Sequence, residues 1–299
     1  MSNKLPDKAR AGLTWRRVQN AIRAPFRLSR NVKFWWGDTV SEEEHIFVMG
    51  PPRSGTTLVK TVLQAHSDIC GVEGETWFFH RKDYAGFRHS DVSDADVRRF
   101  VRETSSVTEL FDRFADAVKA EAGASYFLEK TPEHALRLPY LVEYFPQSTF
   151  VCLARDPRDG LRSAQGHPGY WTSLPNRDRT GGYLETWRQS VEAYEAHVDA
   201  SSVLVLRYED FCRRPQEETS RIMDSIGLDV EPWQLDPSAY GTGHGETVDA
   251  HARLQEPITP KSVGTWREEL SKAEVRRIER SLGEKMQTFG YSLEYETDG

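Results

Sequence analysis

The octapeptide Gly50-Pro51-Pro52-Arg53-Ser54-Gly55-Thr56-Thr57 follows directly on the short apolar run of residues 45–49. Apolar residues then recur at helical spacing over residues 58–63, so the pattern predicts a strand, a tight loop and a helix. Such a loop can wrap an anionic group with backbone N–H donors at the N-terminus of the helix. The alternative is a turn that only caps a helix, but the strand and the helix on either side favour a phosphate-binding loop.

The loop departs from that of nucleotide triphosphatases at one position. Those proteins have glycine, four residues, glycine, lysine and then serine or threonine. Here the spacing from Gly50 to Gly55 is kept, but Thr56 stands in the lysine position and Arg53 is the only cation. The lysine that reaches the β- and γ-phosphates is therefore missing. We expect a nucleotide with a short anionic tail as the ligand, rather than ATP or GTP.

Apolar runs elsewhere in the chain alternate with helical patterns. The runs are residues 45–49, 125–128, 149–154 and 202–206. The helices are expected at about 94–103, 109–122, 134–144, 183–198, 215–226 and 272–289. This alternation predicts an α/β fold with a central parallel β-sheet flanked by helices, in a P-loop-like nucleotide-binding architecture. We expect a single domain at residues 45–295, preceded by a basic and aromatic extension at 1–44. Residues 166–181 are expected to form a surface loop, and Trp187 and Tyr194 to belong to the core.

Bulk composition narrows the class of protein. Of the 299 residues, 38% are hydrophobic and 28% are charged, which is typical of a soluble globular protein. No run approaches the apolar length of a membrane span, and no apolar secretory region is visible near the N-terminus. The three cysteines, Cys70, Cys152 and Cys212, have no metal-binding spacing, and Cys152 is expected to be a buried free thiol. These features favour a cytoplasmic protein.

Charge is unevenly distributed along the chain. The net charge of −7 argues against a general nucleic-acid-binding protein. Residues 1–40, however, contain nine basic and two acidic residues, so this segment carries +7 and the remainder −14. Because aromatic residues are interleaved with the basic ones, the segment could lie on an anionic membrane surface. The alternative, which we favour, is an extension that packs on the domain or stays partly disordered.

Four cations follow directly on predicted strands: Arg53, Lys130, Arg155 and Arg207. The carboxyl ends of parallel strands meet at one edge of the sheet, where ligands bind in such folds. The sequence therefore predicts an anion site at this edge. For Arg155 the alternative is an exposed ion pair with Asp159, four residues on along a helix.

Several segments together resemble the sulfotransferases that use 3′-phosphoadenosine-5′-phosphosulfate (PAPS). Residues 52–58 resemble their 5′-phosphosulfate loop, and Arg155-Asp156-Pro157-Arg158-Asp159 with Ser163 resembles their 3′-phosphate motif. Further similar segments are residues 129–132, which contain Lys-Thr-Pro, residues 207–210 and residues 263–267. The similarity extends over about residues 45–291 in the right order, and residues 1–40 lie outside it.

The resemblance implies roles for individual residues. The 5′ side of PAPS would be held by Pro52, Arg53, Ser54, Gly55, Thr56 and Thr57. Arg155 and Ser163 would bind the 3′-phosphate, for which arginine is suited because it makes bidentate contacts. Lys261, Trp266 and Arg267 could close over the 3′-phosphate and adenine, although Trp266 could instead anchor the last helix. No carboxylate cluster typical of a magnesium site is visible, so we expect no metal.

Sulfuryl transfer to an acceptor hydroxyl requires a base. Glu75, in Gly74-Glu75-Thr76, resembles the catalytic glutamate of the protein-tyrosine and carbohydrate branches of the family. Glu73 is the competing candidate, with His134 and His66 behind it, and Glu75 could instead cap the next helix. Lys130 and Arg53 would stabilise charge on the leaving oxygen and the sulfuryl oxygens.

The acceptor is expected to be a hydroxyl of a small molecule, a lipid or a carbohydrate, or less favourably an amine, and the released product is 3′-phosphoadenosine-5′-phosphate (PAP). Two other function classes remain open from the residues. One is a P-loop nucleotide kinase or triphosphatase, which Thr56 and the missing magnesium carboxylates disfavour. The other is a nucleotide-binding scaffold without turnover, whose mark would be the loss of Glu75 or Lys130; both are present.

Overall fold

A computed structural model describes residues 31–34, 37–174, 178–240 and 254–295. Most of the basic and aromatic segment, residues 1–40, for which membrane contact and packing on the domain were the two alternatives, lies outside these ranges. Where it is described, it packs on the domain: Phe34 is 2% exposed and its ring lies 5.6 Å from that of Tyr84. The Asn31 side-chain oxygen accepts a hydrogen bond from the Tyr84 N–H at 2.7 Å. No helix within the described ranges is long and apolar enough to cross a membrane.

A parallel β-sheet forms the centre of the described part of the chain. Its five strands are β1 (His45–Met49), β2 (Ile69–Gly71), β3 (Tyr126–Lys130), β4 (Thr149–Ala154) and β5 (Val203–Arg207). The strand order is β2-β3-β1-β4-β5: from β1 the chain forms the edge strand β2, returns to β3 beside β1, and then crosses to β4 and outward to β5. The predicted α/β fold with a parallel sheet is confirmed. The sequence reasoning missed β2, because a three-residue edge strand is too short to show a periodic pattern.

Helices cover both faces of this sheet. They are α1 (Thr56–Gln64), α2 (Asp94–Glu103), α3 (Val107–Ala122), α4 (Leu138–Tyr144), α5 (Pro157–Gln165), α6 (Pro168–Ser173), α7 (Arg179–Glu195), α8 (Tyr208–Arg213), α9 (Pro215–Ile226), α10 (Trp266–Glu269) and α11 (Lys272–Thr288). Short 3₁₀ turns lie at Phe78–His80, Pro132–Arg137, Pro232–Leu235, Pro237–Ala239 and Pro260–Ser262.

Side-chain caps define the beginnings of three predicted helices. Ser93 Oγ accepts the Asp96 N–H at 3.1 Å, which satisfies one of the amides that the first turn of α2 leaves open. Ser106 plays the same part for α3. At α11, Ser271 and Glu274 form the predicted capping box. These helices could be placed from sequence because their starting signals are local.

Two helix predictions require correction. Residues 166–181, predicted as a surface loop, contain α6 and the start of α7. The proline at the beginning of α6 costs no hydrogen bond there, and the His167 side chain caps the helix by accepting the Tyr170 N–H at 3.1 Å. The helix predicted at 134–144 is divided into a 3₁₀ turn and α4, because Pro139 lies in the first turn of α4 and cannot donate to a preceding helical turn.

The sheet is buried on both faces, as its apolar strands predict. Along β1, Phe47 and Met49 join one apolar layer, whereas Ile46 and Val48 join the other. All four are fully buried. The first layer contains a cluster of aromatic rings, and the second lies under α1 and α9. The two packed layers hold the strand ends rigidly, and these ends carry the residues described next.

Candidate active site

The loop at residues 50–57 is shaped by two left-handed residues, Arg53 (φ 70°) and Gly55 (φ 95°). A side chain at Gly55 would be strained, and a Cβ there would also lie 2.4 Å from Cδ2 of Tyr208. The loop ends at Thr56, where α1 begins, so the first amides of α1 have no partner inside the helix. Ser54 Oγ is buried and has no hydrogen-bond partner among the described residues. The loop therefore leaves a hydroxyl and the first amides of α1 open, and donors of this kind can bind an anion.

Strand register brings this loop beside the end of β3. Val48 pairs with Lys130 across the β1–β3 ladder. Two residues further on, the Gly50 N–H donates to the Pro132 carbonyl at 3.0 Å. The phosphate loop and the Lys-Thr-Pro segment are thus held side by side by backbone hydrogen bonds, as the parallel-sheet prediction implied.

Lys130 and Glu75, two predicted catalytic residues, form an ion pair. Lys130 Nζ donates to Glu75 Oε1 at 2.8 Å; the lysine side chain is 1% exposed and that of the glutamate 22%. Glu75 does not cap the next helical element, because the residue at that position is Trp77. A second lysine stabilises the loop that carries Glu75, since buried Lys60 on α1 donates to the carbonyls of Val72 and Gly74.

The competing base candidates lie in different surroundings. Glu73 is exposed. His134 is fully buried and both of its ring nitrogens are engaged: Nδ1 contacts Glu129 Oε2 at 2.7 Å, and Nε2 accepts the Phe79 N–H at 3.3 Å. His66 lies beyond the C-terminal end of α1, where its Nε2 contacts the Asp229 carbonyl. Burial of His134 and the remote location of His66 argue against both as bases.

A buried carboxylate, Glu129, supports the ion pair from behind. Its Oε1 accepts hydrogen bonds from the hydroxyls of Thr76 and Thr131, both at 2.7 Å, and its Oε2 contacts His134. Burial raises the pKa of Glu129, but the hydrogen bonds that its carboxylate accepts from His134 and from the two hydroxyls outweigh it, so the pKa is lowered. The network joins the residues next to Glu75 and Lys130, and it fixes the position of both.

Sequence reasoning missed this role of Glu129. The available signal was a carboxylate inside an apolar strand, followed by Thr131 and His134. A charge in the middle of a buried sheet requires partners, and the nearest polar residues in sequence are the ones that supply them.

Arg155 and Ser163, the predicted 3′-phosphate residues, both contact Arg53. Ser163 Oγ accepts from Arg53 Nε at 3.2 Å, and Arg155 Nη1 donates to the Arg53 carbonyl at 2.9 Å. Arg155 is 7% exposed; its Nη2 donates to the Ser262 carbonyl at 2.8 Å, and its guanidinium lies over the ring of Tyr208 at 4.3 Å. Its Nε is buried and has no partner within the described residues.

Asp159 does not form the ion pair with Arg155 that was considered from sequence. It is 1% exposed and accepts the N–H groups of Gly264 at 2.6 Å and Trp266 at 3.0 Å. These bonds tie the 260–266 segment to α5, which brings the Ser262 carbonyl to Arg155. The helix-spacing rule that suggested the ion pair cannot anticipate a partner more than a hundred residues away.

The other predicted cofactor-binding residues lie on this segment. Trp266 is 1% exposed, with Arg158 4.0 Å from the ring and Arg267 4.5 Å from it, so its contacts favour the anchoring alternative. Lys261 and Arg267 are exposed; Lys261 lies 3.4 Å from Glu256, and Arg267 lies 3.5 Å from Glu294. Pro52 and Thr56 are buried in the loop, and Thr57 is half-buried at the start of α1.

Arg207, predicted to join the anion site, contacts other groups. Its Nη1 lies 3.6 Å from Asp210, its Nη2 donates to the Gly290 carbonyl, and its guanidinium lies over the ring of Tyr291. Its strand ends at the same side of the sheet as the others, but β5 is one of the two outermost strands and Tyr291, in the segment after α11, lies against the Arg207 guanidinium. The position of a residue directly after a strand predicts at which edge of the sheet it lies. It does not predict in which direction a long side chain points.

Within the described residues, no group of three or more histidine, cysteine, aspartate or glutamate side chains is arranged to hold a metal ion. The three cysteines are free and buried, and burial raises the pKa of the Cys152 thiol, in agreement with the prediction of a buried thiol. Trp187 and Tyr194 are core residues as predicted. The Trp187 indole N–H donates to the Arg155 carbonyl at 2.9 Å, so the core also fixes the backbone of the site.

Comparison with known proteins agrees with this geometry. The chain matches the sulfotransferase family over residues 45–232. It is 26% identical over 259 residues to a putative protein-tyrosine sulfotransferase of Caenorhabditis briggsae, which covers 79% of this chain and 85% of that protein. These matches confirm the resemblance drawn from the sequence motifs.

Solved structures agree on the fold. The sulfotransferase domain of the Synechococcus PCC 7002 olefin synthase superposes with a TM-score of 0.66 at 19% identity, over 86% of this chain and 97% of that one. A mouse sulfotransferase complexed with PAP superposes with a TM-score of 0.53 at 17% identity, over 83% and 86% of the two chains.

Proposed function

Because the chain belongs to the sulfotransferase family, we propose that it transfers a sulfuryl group from PAPS to an acceptor hydroxyl and releases PAP. The observation that carries the proposal is the Lys130–Glu75 ion pair of 2.8 Å beside the phosphate loop. This pair places a cation that can stabilise the leaving group beside a carboxylate that can take the proton of the acceptor. The proposed acceptor is a hydroxyl of a small molecule, a lipid or a carbohydrate.

The residues present fit such a donor. PAPS carries a 5′-phosphosulfate and a 3′-phosphate, so it needs two groups of donors. On one side are the first amides of α1 and the buried Ser54 hydroxyl, which has no partner in the described part of the chain. On the other is Arg155, whose buried Nε also has no partner there. Unsatisfied buried donors are costly in a folded protein, and oxygens of the donor molecule would satisfy them.

The donor supplies a sulfuryl group attached to a phosphate leaving group. The acceptor oxygen forms a bond to sulfur, and the bond from sulfur to the bridging oxygen breaks, with its electron pair leaving on PAP. Glu75 takes the acceptor proton, for which a carboxylate must come within hydrogen-bond reach of the hydroxyl. Lys130 and Arg53 stabilise the charge that develops on the bridging and sulfuryl oxygens.

The buried surroundings strengthen this stabilisation. Lys130 is 2% exposed and the chain around it is fixed by the Glu129 network, so its ammonium group requires little reorganisation when charge develops nearby. Glu75 is the more accessible member of the pair, as a group that meets an acceptor should be.

Transfer of radiolabelled sulfate from PAPS to a panel of phenols, alcohols and carbohydrates tests the proposal, with PAP release measured in parallel. We expect acceptor-dependent PAP release that is lost in Glu75→Gln, while Glu75→Gln still binds PAP. Tight binding of PAP without release above background for any acceptor would instead indicate a nucleotide-binding scaffold without turnover.

A further inference from the structure

An aromatic residue in an unusual conformation lies two positions after Glu75. Trp77 has φ 52° and ψ 24°, a left-handed conformation that is rare for a bulky side chain and costs free energy. Its backbone is held there by Thr131 Oγ1, which accepts the Trp77 N–H at 3.2 Å and itself donates to Glu129. The indole is nevertheless 42% exposed. The fold thus holds Trp77 in a strained backbone conformation with its apolar ring exposed to solvent, two residues after the proposed base.

A second carboxyl group, that of Glu133, lies three residues after Lys130 in the sequence. Glu133 is in the 3₁₀ turn that follows β3, and its Oε2 is buried without a hydrogen-bond partner within the described residues. Burial raises the pKa of Glu133 to about 7; the charge of Glu75 raises it further and that of Lys130 lowers it. Glu133 follows Lys130 by three residues, and Lys130 forms the ion pair with Glu75.

His80 contacts both Trp77 and Glu133. The ring of His80 lies 6.1 Å from the Trp77 ring in an edge-to-face arrangement, and its Nε2 donates to the Glu133 carbonyl at 2.9 Å. His80 thus contacts both the Trp77 ring and the Glu133 backbone, and these two residues lie two positions from Glu75 and three positions from Lys130, the two members of the ion pair.

We propose that Trp77 and Glu133 form an acceptor subsite for a sugar ring or a similar cyclic polyol, with Trp77 against the apolar face of the ring and Glu133 accepting from a second hydroxyl. This inference rests on the proposed function, since it takes Glu75 as the group that meets the hydroxyl to be sulfated. It selects the carbohydrate class from the three acceptor classes that the sequence leaves open.

The unpartnered oxygen of Glu133 is what favours a polyol. A phenol or a simple alcohol has one hydroxyl, which the transfer itself uses, and the rest of the molecule cannot donate. Binding it would leave Glu133 Oε2 buried and without a partner, so this acceptor would gain nothing from the carboxyl group. A pyranoside has further hydroxyls beside the sulfated one, and its C–H face can pack on an indole. Sites built to hydrogen-bond a hydroxyl reject analogues that lack it.

Binding of small acceptors to the full chain saturated with PAP tests this subsite independently of turnover. The probes are methyl pyranosides of glucose, galactose, fucose and N-acetylglucosamine, compared with p-cresol, a tyrosine-containing peptide and 1-hexanol, each titrated at millimolar concentrations by ligand-observed NMR. The variants are Trp77→Ala, Trp77→Phe, Glu133→Leu and Glu133→Gln. Trp233→Ala is the matched control, because Trp233 is 46% exposed and donates to the Ala65 carbonyl beyond the far end of α1.

We expect at least one pyranoside to bind more tightly than the phenols and the alcohol. Trp77→Ala and Glu133→Leu should each weaken that pyranoside by about tenfold, the loss of one buried hydrogen bond or one ring contact. Trp77→Phe and Glu133→Gln should retain part of the affinity, since a ring and an accepting oxygen remain, and Trp233→Ala should change nothing. PAP affinity should stay within about twofold throughout, because the proposed subsite lies outside the donor site.

Preferential binding of the phenol or the alcohol would overturn the subsite, and so would pyranoside binding that is indifferent to both Trp77→Ala and Glu133→Leu. Absence of binding by every pyranoside at millimolar concentration would overturn it as well. Failure of the protein to bind PAP would be a different result, because it would remove the proposed function itself.

Discussion

Lys130 Nζ and Glu75 Oε1 lie 2.8 Å apart, although the two residues are 55 positions apart in the chain. Glu75 follows the phosphate loop and α1, whereas Lys130 ends β3, the strand that pairs with β1. The Glu129 network holds both segments from behind, through Thr76 on one side and Thr131 on the other. The proposed base and the cation beside it are therefore positioned by one buried carboxylate, and the predictions below test each part of this arrangement.

Replacement of Glu75 by glutamine should lower kcat by about 10²–10⁴, because the acceptor proton loses its base. PAP affinity should change little, since the side-chain shape is kept. Steady-state kinetics with the acceptor that the wild type uses, together with PAP titration, measures both quantities. Glu73→Gln is the control, because Glu73 is an exposed neighbour in the same loop. A loss in Glu73→Gln and full activity in Glu75→Gln would reverse the assignment.

Arg155→Ala should remove the preference for a 3′-phosphate. We expect wild-type protein to bind PAP at least about tenfold more tightly than AMP, since a charge-assisted arginine contact is worth 1.5 kcal/mol or more. In the variant the ratio of the two dissociation constants should approach one. Calorimetric titration with both ligands measures the ratio, and thermal unfolding checks that loss of the bonds to Arg53 and Ser262 leaves the protein folded. An unchanged ratio would place the 3′-phosphate contacts elsewhere.

Gly55→Ala should destabilise the protein more than Gly123→Ala does. Both glycines have left-handed φ values, of 95° and 68°, so both variants incur a backbone penalty of about 1–2 kcal/mol. Only at Gly55 would the added Cβ also collide, with the ring of Tyr208 at 2.4 Å, whereas at Gly123 it meets nothing within 4 Å. Denaturant unfolding gives the two free energies. We also expect PAP binding to fall only in Gly55→Ala; equal effects at the two positions would show that the contact with Tyr208 is unimportant.

Glu129→Gln should destabilise the fold in a pH-dependent way. The pKa of Glu129 is lowered in the folded protein, so the ionised carboxylate contributes stability above its unfolded pKa near 4.5 that is lost as pH falls through the folded value. Buried donors that lose a charged acceptor cost about 1–3 kcal/mol, and glutamine retains some of the hydrogen bonds, so we expect a loss at the low end of this range at pH 7. Unfolding measured from pH 7 down to pH 3 should show the difference between wild type and variant shrinking. A constant difference would mean that the carboxylate charge is not involved.

Replacement of Glu133 by glutamine should stabilise the protein relative to wild type as pH rises, which is the opposite of the effect expected for Glu129→Gln. Burial raises the pKa of Glu133 to about 7, so the stability that its protonated form contributes is fully present below the unfolded pKa near 4.5 and is lost as pH rises through 7. Glutamine does not titrate and escapes this loss. The melting temperature of the variant, measured relative to that of the wild type, should therefore rise between pH 5 and pH 8. The corresponding gain in the relative free energy of unfolding is on the order of 1–3 kcal/mol. A relative melting temperature that is flat over this interval would contradict the burial of the Glu133 carboxyl.

Much of this site could be predicted from sequence because its signals are local. The loop at 50–57 combines spacing, a preceding strand and a following helix, and the N-caps of α2, α3 and α11 lie within four residues of the amides they bind. The four cations after strands were placed at the correct edge because parallel strands must end together.

The remainder depended on contacts between distant segments. Asp159 binds backbone amides at 264–266, more than a hundred residues away, and no helical spacing rule contains that information. Arg207 ends its strand as predicted, yet its side chain lies over Tyr291. Glu129 was read as part of a motif, whereas its partners Thr76 and His134 show it to be the buried support of the site.

Calorimetric titration of the purified protein with PAP and with ATP, both in the presence of EDTA, is the most direct test of the donor site, because it needs no knowledge of the acceptor. Tight binding of PAP and weak binding of ATP is the expected result, since the role proposed for Arg155 is to bind a 3′-phosphate and Thr56 occupies the position of the triphosphate-binding lysine. Binding of ATP that appears only when Mg²⁺ is restored, with no response to PAP, would contradict the proposed sulfuryl transfer and indicate a divergent nucleotide kinase.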